Sequence, residues 1–275
     1  VILSLTKYDY CIKTHSTSPF VNLSVTIAPG MAITKYQNIT GIIFRMFDAQ
    51  EADRVVHILT NDGSRLPVFA RGVRKATSRK AHAIDLLNKV ECKLVGTGSL
   101  STVTEVKLLS QHGQFKRNYP LLMLSQLICE VIDIFAAEDQ EEAGYYRNLE
   151  NLLALQRPGR PILLAAAFIL RYLYVSGHLP KLDSDVLSGE KLDIDNAYIL
   201  MEPGYTSDSA KSSDRTIAPR LLKTQKFILQ SDFAHIDKLA LAKEEQLELF
   251  HLHRGWLEVV TDRELRSAQL FLEAS

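Results

Sequence analysis

In the stretch Arg54-Val-Val-His-Ile-Leu-Thr60-Asn-Asp-Gly63-Ser-Arg65-Leu-Pro-Val-Phe-Ala70-Arg71-Gly72-Val-Arg74-Lys75-Ala-Thr-Ser78-Arg79-Lys80, a β-branched run meets a turn, returns, and then becomes basic. Asn61-Asp62-Gly63 between two apolar runs is a strong hairpin signal, because these residues tolerate the positive φ angles of a tight turn. Arg65–Val73 carries apolar residues at alternate positions and reads as the returning strand. Between Gly63 and Lys80 stand six cationic side chains and no acidic one. A dense cationic loop on a β-scaffold is the electrostatic footprint expected for a phosphate backbone. The competing interpretation of such a run is a solvated charged face.

Reading outward, residues 36–110 read as β-structure. Ile39–Arg45 is β-rich, and Leu87–Val95 and Leu100–Leu109 flank a second hairpin signal at Gly96-Thr-Gly98. Five short strands, with a less regular 76–86 segment between the third and fourth, suit a small five-stranded barrel such as an OB-fold, though other small barrels share that order. From residue 119 the period changes. Leu121, Leu124, Ile128, Val131, Ile132 and Phe135 recur at helical spacing. Residues 145–156, 161–176, 218–230 and 243–260 also read as helices. Arg157-Pro-Gly-Arg-Pro161 breaks the first two, with Pro161 suited to a helix's first turn. Residues 181–215 are loop-like. The expected fold class is therefore α+β: an N-terminal five-stranded OB-fold barrel over 33–112, then an all-helical domain over 113–275 with a loop insertion at about 181–215.

Residues 1–32 look unlike the rest, rich in Ser, Thr, Asn and Pro and ending at Pro29-Gly30-Met31. Met31 is the expected start of the native chain, with the preceding residues an extension outside it; the alternative is a genuine N-terminal arm. No apolar run reaches the roughly 18 residues of a membrane span, since Arg171 interrupts the most apolar stretch, Ile162–Val175. Cys11, Cys92 and Cys129 are odd in number and far apart, so they form neither a disulfide framework nor a paired metal motif. A reducing cytoplasm suits them.

The chain is neutral as a whole, with 32 basic and 32 acidic residues, but bipolar in detail. Residues 36–118 hold 13 Lys/Arg against 7 Asp/Glu, a net of +6, and residues 119–275 hold 16 against 24, a net of −8. One half is built to meet a polyanion and the other is not. Chemistry-bearing motifs are otherwise sparse. His251-x-His253 does not place both rings on one helical face. Asp48, Glu51 and Asp53 form the barrel's one acidic cluster, without a metal motif. No phosphate loop, H-E-x-x-H or G-x-S-x-G is present. The expectation is a protein that binds and does not catalyse, with no metal site.

Several segments, taken together, resemble one family. Gly41-Ile-Ile-Phe-Arg45, Glu51-Ala-Asp53-Arg54 through Thr60, Gly63, and Ala70-Arg-Gly72-Val-Arg74-Lys75 with Ser78-Arg79 resemble the N-terminal domain of RecO proteins, bacterial recombination mediators. Gly177 through Leu182-Asp183-Ser-Asp185-Val186-Leu-Ser188-Gly189 resembles a corner of the same family, and Arg266-Ser267 with Phe271-Leu272 its C-terminal helix. The resemblance implies an OB-fold followed by helices and binding to single- and double-stranded DNA. It also implies strand annealing, help in loading RecA recombinase onto DNA coated by single-strand-binding protein, and a nucleoid-associated, cytoplasmic location. The implied partners are RecR and the C-terminal tail of single-strand-binding protein. Many members of the family hold zinc with four cysteines in the 180–215 region. Here Asp185 and Ser188 stand where the first pair belongs, so that region is a degenerate, cysteine-free zinc loop and no zinc is expected.

The expected DNA-binding residues are Arg65, Arg71, Arg74, Lys75, Arg79 and Lys80, with His82 as a helper. Lys107, Lys116 and Arg117 are candidates for an extended cationic track. Phe69, between Val68 and Ala70, reads as core rather than as a stacking face. The helix Ile162–Val175, with Arg171, is a candidate groove for an acidic partner peptide. The alternative function is a protein–protein adaptor whose basic loop docks an acidic partner instead of DNA.

Overall fold

The computed structural model describes residues 35–96, 100–138, 140–209 and 215–275; the expected N-terminal extension lies outside them. Five strands come first: β1 (Lys35–Ala49), β2 (Asp53–Thr60), β3 (Arg65–Ala70), β4 (Lys89–Gly96) and β5 (Ser101–Ser110). They close into a barrel in the order β1-β2-β3-β5-β4, with β1 returning to pair with β4. Closure rests on one short parallel pairing, Val68 with Ser101 and Phe69 with Thr102. This is the five-stranded OB architecture.

β1 is the longest strand because its two partners occupy successive stretches of it, β4 pairing with Lys35–Ile42 and β2 with Gly41–Ala49. Gly41 lies opposite Thr60 of β2 and Val90 of β4. A Cβ at Gly41 would stand 2.4 Å from Ile58 Cγ2 and 2.5 Å from the Leu59 carbonyl oxygen, so only glycine allows the approach. A bulge between Ile43 and Arg45 then bends the strand around the barrel. Ile43, Val56, Ile58, Val68, Val90 and Cys92 fill the barrel interior. Ile42, Phe44 and Leu59 point outward and belong to the core of the helical half.

β3 ends at Ala70, short of the expected Val73. Gly72 turns the chain with φ +65°, and its N–H donates to Asp53 Oδ1 at 2.7 Å. At the far end Leu87 adopts φ +61°, so β4 begins at Lys89 rather than Leu87. The segment between β3 and β4 is a series of turns that stops one end of the barrel with Val73, Ala83 and Ile84.

The helical half contains α1 (Tyr119–Phe135), α2 (Ala143–Leu153), α3 (Pro161–Val175), α4 (Pro219–Gln230), α5 (Phe233–Ile236), α6 (Lys243–Thr261) and α7 (Ser267–Ala274). Asn118 caps α1 by accepting the Leu121 N–H at 3.0 Å, and Pro120 sits in its first turn. α3 is buried on every side from Ile162 to Leu170, as a helix without a polar face must be. It packs against α1, α2, α4, α5 and α6. Each large apolar side chain buried there contributes about 2 kcal/mol. No helix of the described residues is long and apolar enough to cross a membrane.

The groove expected along Ile162–Val175 is closed. Arg171 Nε and Nη2 donate to the Ile228 carbonyl oxygen at 3.0 and 2.9 Å, and Nη1 donates to Asn148 Oδ1 at 3.2 Å. Its guanidinium lies 4.5 Å from the Phe233 ring centroid. Arg171 therefore ties α3 to α2, α4 and α5 from within.

Residues 181–209 are less irregular than their composition suggests. They contain a two-stranded ribbon, β6 (Tyr198–Ile199) and β7 (Tyr205–Thr206), and are organised by one buried carboxylate. Asp185 Oδ1 accepts the N–H groups of Leu187 and Ser188 at 2.9 and 3.1 Å. Its Oδ2 accepts the Thr206 hydroxyl at 3.0 Å and the Ser207 N–H at 2.7 Å. Burial pushes the carboxyl pKa up, but these hydrogen bonds outweigh it and hold the group below the usual carboxylate value. Both oxygens are thus committed to the loop, and with Ser188 beside it the pair does not suit zinc.

α6 carries the His pair. His251 is exposed, whereas His253 is buried with Nδ1 2.8 Å from the Ala166 carbonyl oxygen and Nε2 3.1 Å from Gln225 Oε1. Burial pushes the His253 pKa down to about 4. The unfolded chain binds this proton more readily, so the stability tied to neutral His253 is complete above its unfolded pKa, about 6.5, and is lost as pH falls toward 4. Urea unfolding curves should show wild type losing about 3 kcal/mol more than His253→Gln over that window. An equal pH slope in both proteins would count against it. Asp185→Asn, which cannot accept four donors equally, should cost about 2 kcal/mol. It should also speed proteolytic nicking between Val186 and Ser209, read by limited proteolysis.

Candidate nucleic-acid interface

The basic loop that follows β3 is held by the acidic cluster beside it. Asp53 accepts the Gly72 N–H, and Arg74 donates its N–H to the Ala52 carbonyl oxygen at 2.9 Å. The Arg74 side chain reaches Asp48 at 3.5 Å and the Gln50 carbonyl oxygen at 3.4 Å. Arg54 Nε donates to Asp48 Oδ1 at 2.9 Å, and that hydrogen bond holds the Asp48 carboxyl below its ordinary pKa. Asp48 and Asp53 thus anchor the loop against the β1–β2 turn. At its other end Lys80 Nζ donates to the Val103 carbonyl oxygen at 3.2 Å, and Asn88 Nδ2 donates to the carbonyls of His82 and Ala83 at 3.3 and 3.2 Å.

This framework sorts the expected residues. Arg71, Lys75 and Arg79 are exposed and form no ion pair among the described residues. Arg74 is exposed but shares its charge with Asp48. Lys80 serves the loop's own fold, and His82 is exposed at its far side. Phe69 does not lie in the core. It is half-buried on the outer face of β3, while its neighbours Val68 and Ala70 fill the interior, and the Arg71 guanidinium lies 5.8 Å from its ring centroid. Strand alternation carried this signal, because Phe69 is out of phase with Val68.

Arg65 leaves the set. It stands at the start of β3, on the side that meets the helices, with Nη1 3.3 Å from Asp133 Oδ1 and Nη2 3.8 Å from Glu138 Oε1. Arg45 also pairs with Asp133, and Arg263 Nη2 approaches it at 3.8 Å. Asp133, 8% exposed on α1, thus receives arginines from β1, β3 and the segment after α6. The β2–β3 turn docks beside this junction. Gly63 has φ +91°, and a Cβ there would stand 1.9 Å from the Glu142 carbonyl oxygen.

The proposed extension of the track is divided. Lys107 on β5 and Arg117 before α1 are exposed and form no ion pair among the described residues, whereas Lys116 is bound to Asp85 at 2.5 Å. Among the described residues, no three His, Cys, Asp or Glu side chains come together as a metal site.

Two family profiles divide the chain at the boundary between barrel and helices. That described as "Recombination protein O N terminal" matches residues 31–112, and "Recombination protein O C terminal" matches 117–269. The chain belongs to the RecO family. The DNA repair protein RecO of Symbiobacterium thermophilum is 27% identical over 241 residues, covering 84% of this chain and 95% of that protein. RecO of Bifidobacterium longum strain DJO10A is 26% identical over 239 residues, covering 84% and 96%. RecO of Desulforudis audaxviator is 30% identical over 143 residues, 52% of this chain. RecO is a DNA repair family, and a role in recombinational repair follows for this member.

The arginine junction has a measurable consequence. Asp133→Ala leaves three arginines crowded about a vacant position and should cost about 2 kcal/mol. That is a Tm fall on the order of 5 °C, read by differential scanning calorimetry. An unchanged Tm would show that the arginine cluster on Asp133 adds nothing to the hold between barrel and helices.

Proposed function

We propose that this RecO-family chain binds single- and double-stranded DNA through the loop after β3, with Arg71, Arg74, Lys75 and Arg79 neutralising phosphates. The observation that carries this is that Arg71, Lys75 and Arg79 are exposed and, among the described residues, without an ion pair, on a loop whose own fold is secured by Asp48, Asp53 and Lys80, while Arg74 beside them shares its charge with Asp48. Such cations are free to exchange small counterions for a polyanion. Lys107 and Arg117 extend the track on flanking elements. The contacts are to backbone charge, so the reading supports binding without sequence preference.

The finer roles we propose are those that membership in the family suggests. Bound to two strands, the protein brings complementary segments together and anneals them. On gapped DNA it helps RecA recombinase replace single-strand-binding protein, working with RecR and with the acidic tail of single-strand-binding protein. It acts by binding, without a catalytic step, in the bacterial cytoplasm at the nucleoid. The acidic back half, at −8 over residues 119–275, disfavours non-specific coating of nucleic acid by that surface.

Three to four phosphate contacts give a log–log salt slope of about −2 to −3 for single strands. The combined variant Arg71/Arg74/Lys75/Arg79→Ala should lose most of that slope and bind at least tenfold more weakly, in a fluorescence anisotropy titration at two salt concentrations. Arg65→Ala should lower the Tm and leave the salt slope as in wild type. A wild type that does not bind, or a combined variant that binds equally well, would transfer the loop to an acidic protein partner.

A further inference from the structure

Beside the cationic loop, the outer face of the barrel carries an apolar row that the proposed phosphate contacts do not use. Strand register places Phe47 of β1 opposite Val55 of β2, and Val55 opposite Phe69 of β3. All three point away from the interior filled by Val56 and Val68. Adjacent strands lie about 4.8 Å apart, so the two phenyl rings stand roughly 10 Å from each other across Val55. Phe47 is 42% exposed, an unusual state for a phenylalanine on a sheet face, and Phe69 is half-buried.

The rings are held in place. The Arg45 guanidinium lies 4.5 Å from the Phe47 centroid and is itself bound to Asp133. His57, in the next row, meets Phe47 edge-on with centroids 5.5 Å apart, and Phe44 supports His57 from the core side at 6.0 Å. At the other end, the Arg71 guanidinium lies 5.8 Å from the Phe69 centroid. A platform already ordered in the free protein loses little side-chain entropy when a planar group settles on it. The anchoring of Gly72 by Asp53 and of Arg74 by Asp48 holds the start of the loop, with Arg71, at the edge of the row. Flat apolar rings thus border Arg71 at the start of the cationic loop, which matches a ligand with flat faces on an anionic backbone.

We propose that Phe47 and Phe69 form a stacking platform for unpaired bases, so that this face, and not the basic loop, makes the protein distinguish single strands from duplex. The inference rests on the DNA-binding reading of the loop and adds the chemical feature it recognises. A duplex offers only phosphates to the loop, because its base faces are already stacked. A single strand offers phosphates to Arg71, Lys75 and Arg79 and bases to the two rings. One stacked base contributes on the order of tenfold in affinity.

The full-length chain and its Phe47→Ala/Phe69→Ala variant are titrated against three labelled probes: oligothymidylate, a strand of equal length with abasic sites throughout, and a duplex. Wild type should bind oligothymidylate about tenfold or more tightly than the abasic strand. The variant should bind both alike while keeping wild-type affinity for duplex, which shows that the barrel and its basic loop are intact. Phe47→Leu/Phe69→Leu guards against misfolding: it keeps apolar bulk, removes the flat rings, and should likewise lose the preference. Equal wild-type binding to oligothymidylate and the abasic strand, or a preference that survives both variants, overturns the platform and leaves the basic loop standing. A wild type that binds none of the three probes overturns the DNA-binding reading and the platform with it.

Discussion

One strand serves two hydrophobic cores, and the structure depends on that arrangement. In β1, Ile43 enters the barrel while Ile42 and Phe44 enter the helical core. The alternation of side chains along a strand makes this unavoidable once both faces are covered. The strand can pair with β2 and β4 only because Gly41 admits Ile58 and Leu59 at contact distance. The barrel and helices are therefore packed as one body through β1 and α1, with Leu59 and Phe115 completing the seam.

Charge reinforces the seam and then defines the surface. Asp133 gathers arginines from β1, β3 and the segment after α6, which consumes Arg45 and Arg65 as structural groups. Lys89 bridges to Glu150 of α2 at 2.6 Å, and Lys116 to Asp85, so two more cations are spent between the halves. Among the described residues, the exposed cations of the basic half without an ion pair are Arg71, Lys75 and Arg79 on the loop after β3, with Lys107 and Arg117 beyond it. A net charge of +6 over residues 36–118 thus understates the contrast between a neutralised junction and an unpaired, solvent-facing loop.

The same principle governs residues 181–209. A metal closes a loop by drawing in anionic ligands, whereas Asp185 closes it from the opposite sign, as an anion drawing in four donors. α3, apolar all round, gives the helices a centre that needs no such device, and Arg171 satisfies the end of α4 from within that core.

Much of this was legible in the chain. Asn61-Asp62-Gly63 and the alternation around it declared the hairpin, and the change of period at residue 119 declared the helices, because both signals are local and arise from backbone geometry. The strand ends at Ala70 and Lys89 were not legible. They depend on Gly72 meeting Asp53 and on Leu87 adopting a positive φ, and neither is fixed by neighbouring residues. The density of cations was in the sequence, but which of them are unpaired was not. Arg65 and Arg79 belong to the same basic run, and only the arrival of α1 beside β3 gives one a carboxylate and leaves the other without one. Composition and period determined the architecture, since those act through the chain itself. The tertiary structure decided the site, since pairing and exposure depend on what distant segments bring within a few ångströms.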